Sequence, residues 1–167
     1  MNRTDVNWLP DSHTLAFNQL KVPTPGEPES EAYMDSRVVL HTVGEAADRA
    51  VAVFGPTVTR NLGLGRLDVG SLLFVPGSPW VIARTTDTTL PEGFLFLGRV
   101  ADLGKPTMAW TKISGYEDKI TNLALRGNDL FFMTHANAPR KHVMRLDLRK
   151  PVLKFAVEAA ASPANGV

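Results

Sequence analysis

Cysteine is absent from all 167 residues. That excludes disulfides and thiolate metal sites but leaves the compartment open. A long apolar run is absent too: nothing approaches the roughly 20 residues a membrane-spanning helix needs. The first 13 residues, MNRTDVNWLPDSH, lack the apolar core of a secretory signal, so a cytoplasmic location is only the default expectation. Neither sign of charge is in excess, since 18 Lys and Arg face 17 Asp and Glu. A polyanion partner usually requires a clustered basic face, so neither nucleic acid nor a membrane is expected to bind. Histidine is sparse. His13, His41, His135 and His142 stand singly, without the i, i+4 pairing of a ligand set, so no metal or cofactor is expected.

What is present is a series of short apolar runs separated by turn residues. Hydrophobic residues make up 44% of the chain, enough for one domain with a real core. The clearest stretch is 120–151, ITNLALRGNDLFFMTHANAPRKHVMRLDLRKP. Residues 120–125 alternate apolar and polar. Gly127 and Asn128 can take positive φ at little cost, which predicts a tight hairpin. Residues 130–133 form the second strand, and Ala138-Pro139 breaks the chain before a third run carrying Val143, Leu146 and Leu148.

The rest of the chain reads the same way. Strands are predicted at 15–20, 37–43, 50–54, 71–75, 80–85, 94–100 and 108–113, with a last one at 153–159. Residues 155–161 (FAVEAAA) also suit a short helix. Residues 21–36, with three prolines and several acids, predict a long exposed loop. Residues 44–49 predict a turn or one turn of helix.

These runs fall into groups of four. From Asp11 to Gly77 is 66 residues, and from Gly77 to Gly127 is 50. A loose period near that length, with four short strands per unit, predicts β-propeller blades; a Greek-key sandwich is the rival all-β reading. The expected fold is all-β: one partial propeller domain over 1–167, with three four-stranded antiparallel blades near 5–56, 67–114 and 119–162. Three blades cannot close a ring that needs at least about four. Both ends are therefore expected to be cut, with a hydrolase domain absent.

Several motifs carry a resemblance. Trp8-Leu9-Pro10-Asp11 precedes the apolar Leu15-Ala16-Phe17-Asn18, with Ser12 where the related pattern W-x-P-D-G has glycine. Residues 35–44 (DSRVVLHTVG) end like L-H-x-L-G, and Val53-Phe54-Gly55 follows. Trp110-Thr111-Lys112-Ile113, Asp118-Lys119-Ile120-Thr121, residues 129–139 (DLFFMTHANAP) and Leu146-Asp147-Leu148-Arg149-Lys150-Pro151 complete the series. On these motifs the chain resembles the N-terminal propeller of the prolyl oligopeptidase family of serine peptidases. The resemblance implies a propeller that limits access to an α/β-hydrolase domain cleaving short peptides after proline. That domain would carry a Ser-Asp-His triad, with its Ser on a G-x-S-x-G-G elbow. The implied partners are this peptidase domain, in cis or in trans, and peptides. Self-association through open blade faces is a further expectation. The implied function is a non-catalytic fragment that gates or scaffolds a peptidase site; a stand-alone protein- or peptide-binding module is the alternative.

No residue is expected to be catalytic, cofactor-binding or metal-binding. Gly77-Ser78-Pro79-Trp80 comes nearest the elbow, but it lacks the second glycine, and Pro79 has no N–H for an oxyanion hole. Ser78 therefore reads as a hairpin residue. His135, beside Asn137 and Arg140, reads as a polar loop residue. Gly63-Leu64-Gly65 with Gly70 has the wrong spacing for a dinucleotide loop and reads as a connector. Arg140, Lys141, His142, Arg145, Arg149 and Lys150 read as a solvated basic edge, and Glu117-Asp118 as loop charge. Trp80, Trp110, Phe94, Phe96, Phe131 and Phe132 read as packing between blades.

Overall fold

The computed structural model describes residues 6–87, 90–137 and 140–160. Twelve strands form three four-stranded antiparallel sheets, each taking its strands in chain order. The first holds β1 (Asn7–Trp8), β2 (Thr14–Gln19), β3 (Arg37–Thr42) and β4 (Val51–Phe54). The second holds β5 (Val69–Leu73), β6 (Trp80–Thr86), β7 (Leu95–Arg99) and β8 (Thr111–Ser114). The third holds β9 (Ile120–Arg126), β10 (Asp129–Thr134), β11 (His142–Asp147) and β12 (Val157–Ala160). Among the described residues there is no α-helix, and no sheet closes on itself. This is a partial all-β propeller.

The sheets stack through side chains, as blades do. Strand alternation places every second residue in a seam. Ala16, Val38, Val53 and Phe54 of the first sheet meet Leu72, Phe74, Val81, Ala83 and Phe96 of the second. On its opposite face, the second sheet packs Trp80, Ile82, Leu95, Leu97 and Ile113 against Leu125, Leu130, Phe132, Leu146 and Leu148 of the third. The middle sheet is thus covered on both faces, and its central strands β6 and β7 are buried along most of their length.

Three local readings are corrected. The strand predicted at 108–113 begins only at Thr111. Gly98 of β7 leaves room for its neighbours: a Cβ there would lie 2.2 Å from Met108 and 3.1 Å from the Trp110 ring. Residues 108–110 therefore plug the space over Gly98 instead of pairing with it. The strand predicted at 153–159 is split into a 3₁₀ turn, Leu153–Phe155, and then β12. The helical alternative for 155–161 does not form over the described residues 155–160, and residue 161 lies outside them. Residues 44–49 do contain a 3₁₀ turn, Ala47–Arg49.

The loop at 21–36 is not simply solvated. It holds a 3₁₀ turn, Glu29–Tyr33. Lys21 Nζ lies 2.8 Å from Glu27 and 3.3 Å from Glu31. Arg66, in the connector ahead of β5, reaches Glu31 at 2.7 Å and Asp35 at 2.8 Å. The loop is thereby tied to the next sheet.

Candidate functional site

One described cleft lies where β1, β5, β6 and β9 meet. It measures about 400 Å³ and is lined by Val6, Asn7, Ser71, Leu72, Arg84 and Asn122, with Leu73 and Leu123. All three sheets contribute to it. Asn7, Ser71 and Asn122 reach it from β1, β5 and β9. Asn7 also bonds across the sheets, its Nδ2 donating to the Leu72 carbonyl at 3.0 Å. Arg84 Nη2 donates to the Pro91 carbonyl. The lining offers amides, a hydroxyl and a guanidinium. Its lining has no histidine or carboxylate to act as a base for Ser71.

The individually weighed residues are not brought together. Ser78 is 7% exposed. Its Oγ donates to the Gly127 carbonyl at 2.7 Å and accepts from Trp80 N–H at 3.2 Å. The hydroxyl is spent on joining the β5–β6 turn to the β9–β10 turn. Trp80 Nε1 adds a bond to Asn128 Oδ1 at 2.9 Å in the same corner, and the Arg99 guanidinium sits 4.1 Å over the Trp80 ring. Gly127 takes a positive φ of 57°, as the hairpin requires.

His135 lies far along the chain from Ser78, just past β10. Its Nε2 is 3.4 Å from Glu92 Oε1. His142 is 3.8 Å from Glu158 on the neighbouring β12. His13 donates its backbone N–H to Asp11, and His41 is half-buried on β3 opposite Leu15. Among the described residues no three His, Asp or Glu side chains stand together as a metal site.

Gly63 caps the 3₁₀ turn Arg60–Leu62 with φ 68°, and Gly65 N–H donates to Asp68 at 2.7 Å. The glycine run is a folded connector. Asp118 accepts from Gly115 N–H at 2.9 Å, while Glu117 is exposed. In the basic stretch, Arg149 is locked onto Asp147 at 2.7 Å. That pairing holds the Asp147 carboxyl down at about 2. Lys141 and Arg145 are exposed.

Of the aromatics, Trp80, Phe96 and Phe132 are buried in the seams, and Phe94 and Trp110 pack against them. Phe131 is the correction. Two consecutive strand residues cannot face the same way, so with Phe132 inward, Phe131 lies on the outer face of the third sheet and is only half-buried.

Sequence reasoning missed the polar bonds between sheets. Asn18 Nδ2 reaches the Gly70 carbonyl at 3.1 Å and Ser36 Oγ at 3.2 Å. Tyr116 OH donates to Asp68 Oδ1 at 3.2 Å; burial first, and the Asp68 charge second, push its phenol up to about 12. No local spacing announces such pairs. One signal was available: Ser12 stands where the W-x-P-D-G pattern has glycine, and it does adopt φ 59°. Asp11 supports that turn by accepting from His13 N–H, Thr14 N–H and Thr14 Oγ at 2.7–2.9 Å.

Comparison with known proteins accords with this arrangement. The model of the prolyl oligopeptidase N-terminal β-propeller domain matches residues 1–157. No curated protein matches the chain. Among solved structures, a chain from a study of two prolyl endopeptidases and their inter-domain dynamics shares 14% identity. It superimposes with a TM-score of 0.70 over 96% of this chain and 22% of its own length. Prolyl oligopeptidase B from Galerina marginata, bound to a 35mer hydrolysis and macrocyclization substrate, shares 16% identity. Its TM-score is 0.71, over 89% of this chain and 20% of that one. The apo form of the same enzyme gives 15% identity and a TM-score of 0.66, over 92% and 19%. At these identities the structures establish the fold alone, and the chain spans about a fifth of their length. The family match covers nearly the whole sequence, and on it the chain belongs to the prolyl oligopeptidase family, within its N-terminal β-propeller domain.

Proposed function

We propose that this chain is the non-catalytic propeller portion of a prolyl oligopeptidase-like serine peptidase. It gates or scaffolds access to a peptidase site carried elsewhere, in cis in a longer protein or in trans. The observation that carries this reading is the match of residues 1–157 to the propeller domain of that family. Two features support it. The Ser78 hydroxyl is committed to the Gly127 carbonyl, which leaves no nucleophile in the only stretch with a trace of an elbow. The innermost strands of all three sheets share one polar cleft, which suits passage of a peptide rather than its cleavage.

The test is light scattering on the purified chain, alone and mixed with a prolyl oligopeptidase-type hydrolase domain. The first and third sheets each present an outer face with half-buried or exposed apolar residues, among them Trp8 and Val157. Such faces drive association. Self-association alone, then a defined heterocomplex that cleaves short proline peptides in preference to long ones, is the expected result. A monodisperse monomer that ignores the hydrolase domain would sink the gating role and favour a stand-alone binding module. The chain alone is expected to leave a proline-ester reporter intact.

A further inference from the structure

The second and third sheets meet at two corners. One is the hydrogen-bonded pair of turns around Ser78 and Gly127. The other brings His135 Nε2 within 3.4 Å of Glu92 Oε1. His135 follows β10 in the third sheet, and Glu92 precedes β7 in the second. The pair therefore spans the seam between the two sheets.

Its surroundings make it responsive to protons. The Glu92 side chain is only 15% exposed, and that of His135 is 34% exposed. The other ring nitrogen, Nδ1, is buried without a hydrogen-bond partner. A neutral imidazole carries one proton. On Nδ1 it would be a buried donor with nothing to meet, and the bare Nε2 would face a carboxylate. On Nε2 it faces Glu92 as a weak dipole. A second proton converts that contact into a full charge pair in a partly shielded site. Protonation also turns the buried Nδ1 into an unpartnered N–H, a cost that the attraction between the imidazolium and Glu92 must exceed for the contact to tighten. Other charges at this end are Arg84, whose guanidinium donates to the Pro91 carbonyl beside Glu92, Asp87 on the same loop as Glu92, Glu117, Asp118 and Lys119 in the turn before β9, and Arg140 and Lys141 on the loop of His135. They are of mixed sign, which leaves the contacting carboxylate to set the direction.

We propose that His135 and Glu92 form a proton-operated clasp between the second and third sheets, tight with the imidazolium and slack with neutral imidazole. A contact of this kind gains its full attraction only when the imidazole carries its second proton. This inference is independent of the gating role.

A double-mutant cycle with Glu92→Gln and His135→Gln, read by urea unfolding of the full chain, tests it. Near pH 5.5 the pair should show a coupling of about two- to fivefold in the unfolding constant, the range of partly exposed ion pairs. Near pH 8 the coupling should fall to about onefold. No coupling near pH 5.5, or the same coupling at both pH values, overturns the proposal. A second readout needs no substitution. The His135 amide, which donates to the Lys119 carbonyl at 3.4 Å, should open less often near pH 5.5 than near pH 8, after correction for intrinsic exchange. High salt should erase the difference. Equal opening at both pH values would also overturn the clasp.

Discussion

The two seams are built from different materials. The seam between the first and second sheets is aromatic: Phe54 lies 5.7 Å from Phe96 and edge-on to Trp110 at 5.3 Å. Polar bonds stitch it along the inner strands, Asn7 to Leu72 and Asn18 to Gly70. The Arg66 clasp holds it at one end. The seam between the second and third sheets is mostly aliphatic and is fastened at its turns by Ser78 and Trp80. The same stacking geometry thus tolerates either chemistry, provided the gap is filled.

The largest effects should come from emptying each seam. Phe54 is fully buried, and Phe54→Ala should cost about 3–5 kcal/mol. Leu130, also fully buried, should cost about 2–5 kcal/mol as Leu130→Ala. Urea unfolding measures both. A single shared transition in each variant would mean that the middle sheet couples the seams, whereas separate transitions would mean that they fail independently.

Overfilling should hurt the first seam next. A Cβ on Gly70 would lie 2.8 Å from the Phe54 ring and 3.1 Å from Val38. Gly70→Ala is expected to destabilise by about 1–3 kcal/mol; a neutral result would show that Phe54 has room to retreat. In the second seam, Ser78→Ala strips the Gly127 carbonyl of its partner and should cost about 1–2 kcal/mol. Hydrogen exchange should quicken in both turns and leave the first seam unaffected.

The smallest effect is the acid response of the Arg66 clasp. Arg66 beside Glu31 holds that carboxyl below its usual 4.5, and Lys21 beside Glu27 holds the latter down at about 2. A depressed carboxyl contributes stability above its unfolded value and loses it as pH falls. Stability should therefore decline from about pH 4.5 toward pH 2, less steeply in high salt and less steeply in Arg66→Ala. An unchanged acid profile in that variant would mean that the clasp adds nothing.

Much of the architecture was legible in the sequence because strands and hairpins are local. Alternation at 120–125 and glycine at 127 predict β9, its turn and β10 without knowledge of any neighbour. The readings that slipped did so where a distant residue intervened. Residues 108–110 (MAW) are apolar and read as the start of a strand, yet the space left at Gly98 takes Met108 and Trp110 into the seam. Phe131 and Phe132 look equivalent in sequence, and pairing alone decides which turns inward. The candidate site was less legible. The rejection of Ser78 as a nucleophile rested on local chemistry, but its bond to Gly127 spans 49 residues.

The amino-acid sequence by itself determined the strands, their grouping in fours and the family, because turn residues, side-chain period and motif spacing act over a few residues at a time. Only the tertiary structure decided which face of each sheet enters a seam, which amides cross it and which histidine meets a carboxylate. Those outcomes depend on how three separately formed sheets fill the space between them.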